Sequence, residues 1–153
     1  MRFKQVIANF ERRLQQNPLF RTRLVEVPGG IDRPYWVKDA SFDVEFHLRH
    51  IALPEPGDWR QLCILSARLH SQPLRRDKPL WEIYVIEGLN NVEGLPPNCF
   101  ALLLKVHHCA MDGATGTQFM NIVHDLTPET KTFNESPPWI VERPSKPRML
   151  ARA

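Results

Sequence analysis

The segment from Cys99 to His107 constrains the fold most strongly, because it is apolar on both of the faces that a β-strand presents. Ala101 and Leu103 precede Lys105 on one face, and the other face carries phenylalanine, leucine and valine side chains. A strand with two apolar faces usually lies inside a sheet whose sides are both covered. We therefore expect this segment to form a central strand.

Apolar residues at helical spacing predict three helices. The first begins near Phe3 and ends before Asn17-Pro18, since a proline disfavours a helical residue ahead of it. The second begins at Asp58, which forms a capping-box pattern with Gln61, and ends before Pro73. Its predicted buried stripe is Trp59, Leu62, Cys63, Leu65 and Leu69. The third helix is predicted from about Gly113 to Leu126.

Alternating patterns between turn residues predict the remaining strands. In the strand predicted over Phe42–Ile51, His47 and Arg49 are expected to point away from the apolar side. The predicted strands are Arg21–Val27, Pro34–Val37, Phe42–Ile51 and Trp81–Glu87. Helices and strands are mixed along the chain, so the predicted class is α+β, with a mixed, largely antiparallel sheet flanked by helices.

The domain organisation is predicted from a change in composition after residue 127. The last 26 residues contain 5 prolines and show no periodicity, which is typical of a linker or tail. We therefore expect one domain over residues 1–127 and a proline-rich linker or tail over 128–153.

Composition excludes several classes of protein. The chain is 42% hydrophobic and 24% charged, close to soluble globular proteins, and its longest apolar run, Phe100–Leu104, is far below the roughly 20 residues of a membrane span. No secretory signal is recognisable, so a cytoplasmic location is expected. Four basic residues lie in the last eleven, yet no basic stripe with interleaved aromatics occurs, and no nucleic-acid partner is expected. The three cysteines lack CxxC spacing and are expected to be reduced thiols.

The residues with chemical potential follow the apolar strand directly, between His107 and Gly113. Adjacent histidines on an extended backbone point in opposite directions, so at most one of them can face a given cleft. A histidine at a cleft can take a proton near neutral pH from a hydroxyl or an amine. Asp112 could orient the nearby backbone or accept an ion pair, and Gly113 leaves room for a ligand to approach.

The histidine pair and the cysteine after it are also open to three rival interpretations. A metal site is disfavoured, because His107, His108 and Cys109 in immediate succession cannot easily converge on one ion. A nucleophilic Cys109 is disfavoured as well, because adjacent residues rarely reach the geometry of a thiol and its base. The third interpretation is a pair of histidines at a strand end, packed by the core and without a catalytic role.

The stretch HHCAMDG resembles the HHxxxDG motif of the CoA-dependent acyltransferase superfamily, which includes chloramphenicol acetyltransferases and peptide-synthetase condensation domains. Upstream, PLWE followed by IEGL, within Pro79–Leu89, is similar to a segment of the bacterial-type wax ester synthase/diacylglycerol acyltransferases. The segments FDVEFHLRHIALPEPGDWRQL and NPLFRTRL are similar to that family too. The motifs occur in family order over roughly residues 1–127.

The resemblance implies a chloramphenicol acetyltransferase-like fold and transfer of a fatty acyl group from acyl-CoA to diacylglycerol or a long-chain alcohol. It implies that His108 is the general base, that Asp112 is structural or orienting, and that His107 positions the site. Acyl-CoA is a substrate in such a reaction, and no cofactor or metal is expected. The substrate-binding residues that it implies are Gly113, Pro79, Leu80 and Trp81.

Family members normally begin with a further segment and continue into a second domain, and the acyl tunnel runs between the two. The resemblance therefore implies one incomplete domain of two, with the missing C-terminal domain as a partner. Hydrophobic substrates imply peripheral contact with a membrane or with lipid droplets. The alternative function is a truncated, non-catalytic fragment or pseudoenzyme that keeps only the fold and a binding surface. A relative that acylates an amine would share the same base.

Overall fold

The computed structural model describes residues 3–96, 98–111, 113–125, 127, 144, 145, 147 and 149. The described elements are helices packed around a main sheet of three strands, with a separate two-stranded sheet. In chain order they are α1 (Phe3–Leu14), β1 (Thr22–Val25), β2 (Tyr35–Lys38), α2 (Val44–His47), β3 (Leu48–Ala52), α3 (Trp59–Ser71), β4 (Trp81–Glu87), β5 (Ala101–Val106) and α4 (Gly113–Val123).

The main sheet has the order β3-β4-β5. Strand β4 is parallel to β3, with Leu48 opposite Ile83, and antiparallel to β5, with Trp81 opposite Val106. Every residue of β4 from Trp81 to Ile86 is buried. A mixed sheet flanked by helices confirms the predicted α+β class.

The prediction of a central strand at Cys99–His107 is wrong for the part of the chain that the structure describes. There, β5 pairs along one edge only, and β4 is the central strand. The sequence pattern did not indicate β4 as the central strand because β4 contains the polar residues Glu82 and Tyr84, and both of them are buried. They bond to each other at 2.5 Å, so β4 tolerates two covered faces without being apolar on both.

The main sheet divides two hydrophobic cores. On one face, Trp81, Ile83 and Val85 pack with residues from α1, including Phe10 and Leu14. On the other face, Tyr84 and Ile86 pack with Leu62 and Leu69 of α3. Helices therefore cover both faces of β4, and the start of β4 and the end of β5 come together at one end of the sheet.

The second sheet is an antiparallel pair of β1 and β2, with Thr22 opposite Lys38 and Val25 opposite Tyr35. The strands predicted at Arg21–Val27 and Pro34–Val37 correspond to these two. Val25, Val27 and Val37 form a third apolar cluster with Met149, which is only 1% exposed. Met149 lies in the predicted linker or tail and is packed against the hairpin, while the boundary between residues 127 and 128 stays a prediction.

The strand predicted over Phe42–Ile51 is half wrong. Its first part is the single-turn helix α2, whose N-terminus is capped by Asp43 through a bond from the N–H of Glu45 at 3.0 Å. The strand begins only at Leu48. Because the side-chain cap competes with extended backbone, the alternation in this segment does not describe a strand. His47 consequently lies in the core at 1% exposure, whereas a strand would point it away from the apolar side.

Helix α3 begins where the sequence predicts, but its buried stripe differs from the predicted one. Asp58 accepts from the N–H of Gln61, and the Gln61 side chain accepts from the N–H of Asp58. Leu62 and Leu69 are buried, whereas Trp59 is 62% exposed. Trp59 and the exposed Cys63 are one turn apart and share a face beside the Leu62–Leu69 stripe. The third predicted helix corresponds to α4, and the predicted end at Leu126 lies outside the described residues.

Candidate active site

The two histidines lie on a tight turn between β5 and α4. His107 keeps extended backbone, with φ −73° and ψ 134°, and a single 3₁₀ turn follows over His108–Ala110. The turn is closed by the N–H of Ala110, which donates to the carbonyl of His107 at 2.9 Å. Both histidine side chains are exposed.

The ring of His107 has a local role in this turn. Its Nδ1 accepts a hydrogen bond from the main-chain N–H of Cys109 at 3.2 Å. An acceptor nitrogen carries no hydrogen, so the neutral ring carries its proton on Nε2. His107 therefore caps the start of the 3₁₀ turn through one nitrogen and presents a donor at the other.

A main-chain hydrogen bond joins the histidine turn to the start of β4. The N–H of His107 donates to the carbonyl oxygen of Leu80 at 3.0 Å, next to the paired residues Trp81 and Val106. The two sequence motifs, PLWE and HHCAMDG, are thus adjacent at one end of the sheet.

A cavity of about 430 Å³ lies between this turn and the hairpin of β1 and β2. His107, Cys109 and Leu80 form one side of it. The other lining residues are apolar and charged, and the guanidinium of Arg76 lies 3.9 Å from the carboxylate of Glu26. These residues are Arg23, Leu24, Val25, Glu26, Pro34, Arg76 and Asp77. Of the two histidines, His107 lines this cavity and His108 does not. A larger groove of about 780 Å³ lies elsewhere, along Glu11, Arg21 and the end of β2, and includes neither histidine.

The structure brings some of the predicted substrate residues to the turn and buries others. Leu80 lines the cavity although its side chain is 2% exposed. Pro79 is fully buried and Trp81 is 2% exposed, and the indole Nε1 of Trp81 donates to the carbonyl of Phe20 at 3.0 Å. Gly113 begins α4. Asp112 lies outside the described residues. The substrate and catalytic roles of all these residues stay predictions.

His47 is a residue of this region that the sequence pattern assigns to a solvent-facing strand. Its Nδ1–H donates to the carbonyl oxygen of Trp81 at 2.7 Å. Its ring is stacked on the Trp81 ring at 4.5 Å and on the Phe42 ring at 5.4 Å. Burial lowers the pKa of His47 below its ordinary value, against the opposite effect of the Trp81 hydrogen bond. The one sequence signal for this position is Asp43, a helix cap that breaks the strand pattern.

A polar network supports β4 and β5 from the other face of the sheet. The carboxylate of Glu82 accepts from the hydroxyl of Tyr84 at 2.5 Å and from Arg49 at 3.5 Å. Burial, together with this bond to a carboxylate, raises the pKa of Tyr84 to about 12. Opposite Glu82, the ammonium of Lys105 donates to the carbonyls of Leu69, at 2.7 Å, and Gln72. Lys105 thereby fixes the C-terminal end of α3 to the strand that leads into the histidine turn.

Helix α4, which follows the turn, is held at its far end by Arg13 of α1. The guanidinium of Arg13 donates to the carbonyl of Ile122 at 2.9 Å and pairs with the carboxylate of Asp125. The Arg13 side chain is 4% exposed. The histidine turn is therefore anchored on both sides, by the sheet before it and by α1 after it.

Metal-ligand groups, membrane-spanning helices and cysteines are the remaining features that bear on function. Within the described ranges, no three His, Cys, Asp or Glu side chains lie close enough together to hold a metal ion. None of the described helices is both long and apolar enough to cross a bilayer. Cys63, Cys99 and Cys109 are free thiols, as their spacing predicts.

Comparison with known proteins identifies relatives over the whole chain. Residues 1–153 match the model of the wax ester synthase/diacylglycerol acyltransferase catalytic domain. A Mycobacterium tuberculosis protein named as a probable diacylglycerol O-acyltransferase is 38% identical over 152 residues, which are 99% of this chain and 54% of that relative. A Mycobacterium bovis protein with a related name is 39% identical over 115 residues, 72% of this chain and 24% of its own length.

A solved structure also resembles the chain. It is the wax ester synthase/diacylglycerol acyltransferase from Marinobacter aquaeolei, with a TM-score of 0.57 and 32% identity. The similarity covers 77% of this chain and 28% of that structure, and the chain spans about half the length of the first Mycobacterium relative. These matches confirm the resemblance that the motifs indicate. The chain belongs to the wax ester synthase/diacylglycerol acyltransferase catalytic-domain family.

Proposed function

We propose that the protein containing this chain transfers a fatty acyl group from acyl-CoA to the hydroxyl group of diacylglycerol or a long-chain alcohol. The observation that carries this proposal is the exposed histidine turn, held against Leu80 beside a cavity, in a chain of this family. The names of the Mycobacterium and Marinobacter relatives support a lipid acceptor with a hydroxyl group. A hydroxyl acceptor is accordingly preferred over an amine.

His108 is the proposed general base. The neutral ring of His107 is committed as an acceptor to the N–H of Cys109, which leaves a donor at its Nε2 and no basic nitrogen for a substrate. The His108 side chain is exposed on the same turn. This difference between the two rings supports a positioning role for His107 and proton transfer by His108.

The proposed reaction is a single transfer step. His108 takes the hydroxyl proton while the acceptor oxygen forms a bond to the thioester carbonyl carbon of acyl-CoA. The carbon–sulfur bond then breaks, and the CoA sulfur receives the proton from His108, which returns the base to its starting state. A well-positioned base of this kind accelerates a reaction by roughly 10²–10⁴-fold.

The remaining predicted residues have supporting roles in this proposal. Leu80 contacts substrate at the cavity, while Pro79 and Trp81 fix Leu80 through their burial in the core. Gly113 begins α4 and allows close approach of a ligand there. Asp112 has a structural or orienting role. Acyl-CoA is the donor, and neither a metal nor a cofactor takes part.

We further propose that a C-terminal domain forms the opposite wall of the acyl tunnel. A cleft with two walls excludes water and accommodates a long acyl chain, which one wall alone does less well. The diacylglycerol acceptor partitions into lipid, so the proposed location is cytoplasmic with peripheral contact at a membrane or lipid droplet.

The test is release of CoA thiol by the complete gene product that contains this chain. Long-chain acyl-CoA is supplied alone, with dioleoylglycerol, with hexadecanol, or with hexadecylamine. We expect thiol release that depends on a hydroxyl acceptor and yields the matching ester. Release that requires the amine would favour an amine-acylating relative, and acyl-CoA binding without release would favour the non-catalytic alternative.

A further inference from the structure

His47 is a polar residue in an apolar environment, and the proposed reaction does not use it. Its side chain is 1% exposed and lies among the rings of Phe42, Phe46 and Trp81. A buried polar group is unfavourable unless its hydrogen bonds are made. A leucine or phenylalanine would fill this space without that requirement.

Among the described residues, one of the two ring nitrogens of His47 makes a hydrogen bond and the other does not. A carbonyl oxygen can only accept, so the 2.7 Å contact with Trp81 requires a hydrogen on Nδ1. The other nitrogen, Nε2, is buried and has no hydrogen-bond partner among the described residues. The bond to the Trp81 carbonyl is therefore the hydrogen bond that distinguishes this histidine from an apolar residue of similar size.

Two consecutive carbonyls at the start of β4 connect His47 to the histidine turn. The Trp81 carbonyl accepts from His47, and the preceding carbonyl, that of Leu80, accepts from the N–H of His107. His107 in turn accepts from the N–H of Cys109. These two peptide groups share the Cα atom of Trp81, where few combinations of φ and ψ are sterically allowed, so the orientation of one limits that of the other.

We propose that His47 is a positioning residue for the active-site turn. Its bond to Trp81 fixes the first peptide groups of β4, the Leu80 carbonyl then holds the N–H of His107, and the turn presents His108 in one geometry. The catalytic part of this inference rests on the function proposed above for that turn.

The test compares two nearly isosteric substitutions in the complete gene product. His47→Asn keeps an N–H donor near the position of Nδ1, and His47→Leu removes it. A second donorless variant, His47→Phe, retains an aromatic ring for the stack with Trp81. Three quantities are measured for each variant: hydrogen–deuterium exchange at the His107 amide, kcat and KM for acyl transfer, and the midpoint of thermal unfolding.

In the donorless variants we expect His107 exchange to be about tenfold faster and kcat about tenfold lower, the factor of one net hydrogen bond. KM should stay within about twofold, because the substrate does not touch His47. His47→Asn should restore most of the wild-type exchange protection and kcat. It should nevertheless unfold at or below the temperature of His47→Leu, because it buries an amide instead of a hydrocarbon. If His47 had only a structural role, the three variants would rank in the same order by kcat as by the midpoint of thermal unfolding.

Wild-type exchange and kcat in His47→Leu and His47→Phe would overturn the proposal. Equal impairment of all three variants, or failure of His47→Asn alone to fold, would overturn it as well. If the wild-type protein shows no acyl transfer, the proposed function fails, and exchange at His107 still decides whether His47 positions the turn.

Discussion

The main-chain N–H of His107 donates to the carbonyl oxygen of Leu80 at 3.0 Å. This bond extends the pairing of β4 and β5 one step beyond Trp81 and Val106. The strand therefore enters the histidine turn while still attached to its neighbour. Disturbances at the start of β4 should reach the turn through this contact. Disturbances of α3 should reach it through Lys105, and disturbances of α1 through Arg13 and α4.

Replacing Arg13 with methionine should destabilise the protein strongly. The substitution removes the donor to Ile122 and leaves the carboxylate of Asp125 without its guanidinium partner in a region that is mostly buried. Loss of one partner of a buried pair costs about 3–5 kcal/mol. Urea unfolding measures the change, with the exposed Arg12→Met as the control. Equal stability of the two variants would show that the Arg13–Asp125 contact does not hold α1 to α4.

Replacing Lys105 with methionine should lower the free energy of unfolding by about 1–3 kcal/mol. The methionine fills the space of the lysine chain but leaves the carbonyls of Leu69 and Gln72 without their buried donor. The matched substitution Lys4→Met, on the exposed side of α1, should change stability by less than about 0.5 kcal/mol. Similar effects of Lys4→Met and Lys105→Met in urea unfolding would contradict the role of Lys105 at the end of α3.

Stability should fall with decreasing pH because of His47. Its pKa is lowered in the folded protein, chiefly by burial, so the unfolded chain binds more protons once the pH falls toward 6.5. The charges around it act in both directions: Glu82 and Asp39 favour the protonated ring, and Lys78 disfavours it. The contribution is fully present above pH 6.5 and decreases until the pH passes below the folded pKa.

The measurement for this prediction is urea unfolding of wild type and His47→Phe at several pH values between 7.5 and 5.5. The wild type should lose more free energy of unfolding than the variant over this range, at up to about 1.4 kcal/mol per pH unit. Parallel pH profiles would mean that the pKa of His47 is the same in the folded and unfolded states.

Local sequence signals were sufficient for several elements of the fold. The first helix ends ahead of Asn17-Pro18, α3 begins with the capping box of Asp58, and β4 covers Trp81–Glu87 as predicted. In each case the signal lies within the element or next to it. The position of the histidine turn, directly after an apolar strand and ahead of a helix, could be read from the sequence for the same reason.

Features that depend on distant partners could not be read in this way. The buried environment of His47 is created by Trp81 and Phe42, and its hydrogen bond goes to a strand that comes much later in the chain. Glu82 is buried among residues of the neighbouring strands, which its own sequence surroundings do not show. The sequence pattern therefore favours the more apolar β5 as the central strand. Alternation alone also failed at Asp43, where a side-chain cap outweighs the strand pattern.

The most direct measurement is kcat for acyl transfer by His108→Ala in the complete gene product, with His70→Ala as the control. His70 is an exposed histidine on α3 and is not among the residues that line the cavity beside the turn, so its loss should leave kcat unchanged. Loss of the base should lower kcat by roughly 10²–10⁴-fold with an unaltered thermal unfolding midpoint. A His108→Ala protein that folds normally and turns over within a few fold of the His70→Ala protein would contradict the assignment of proton transfer to this turn.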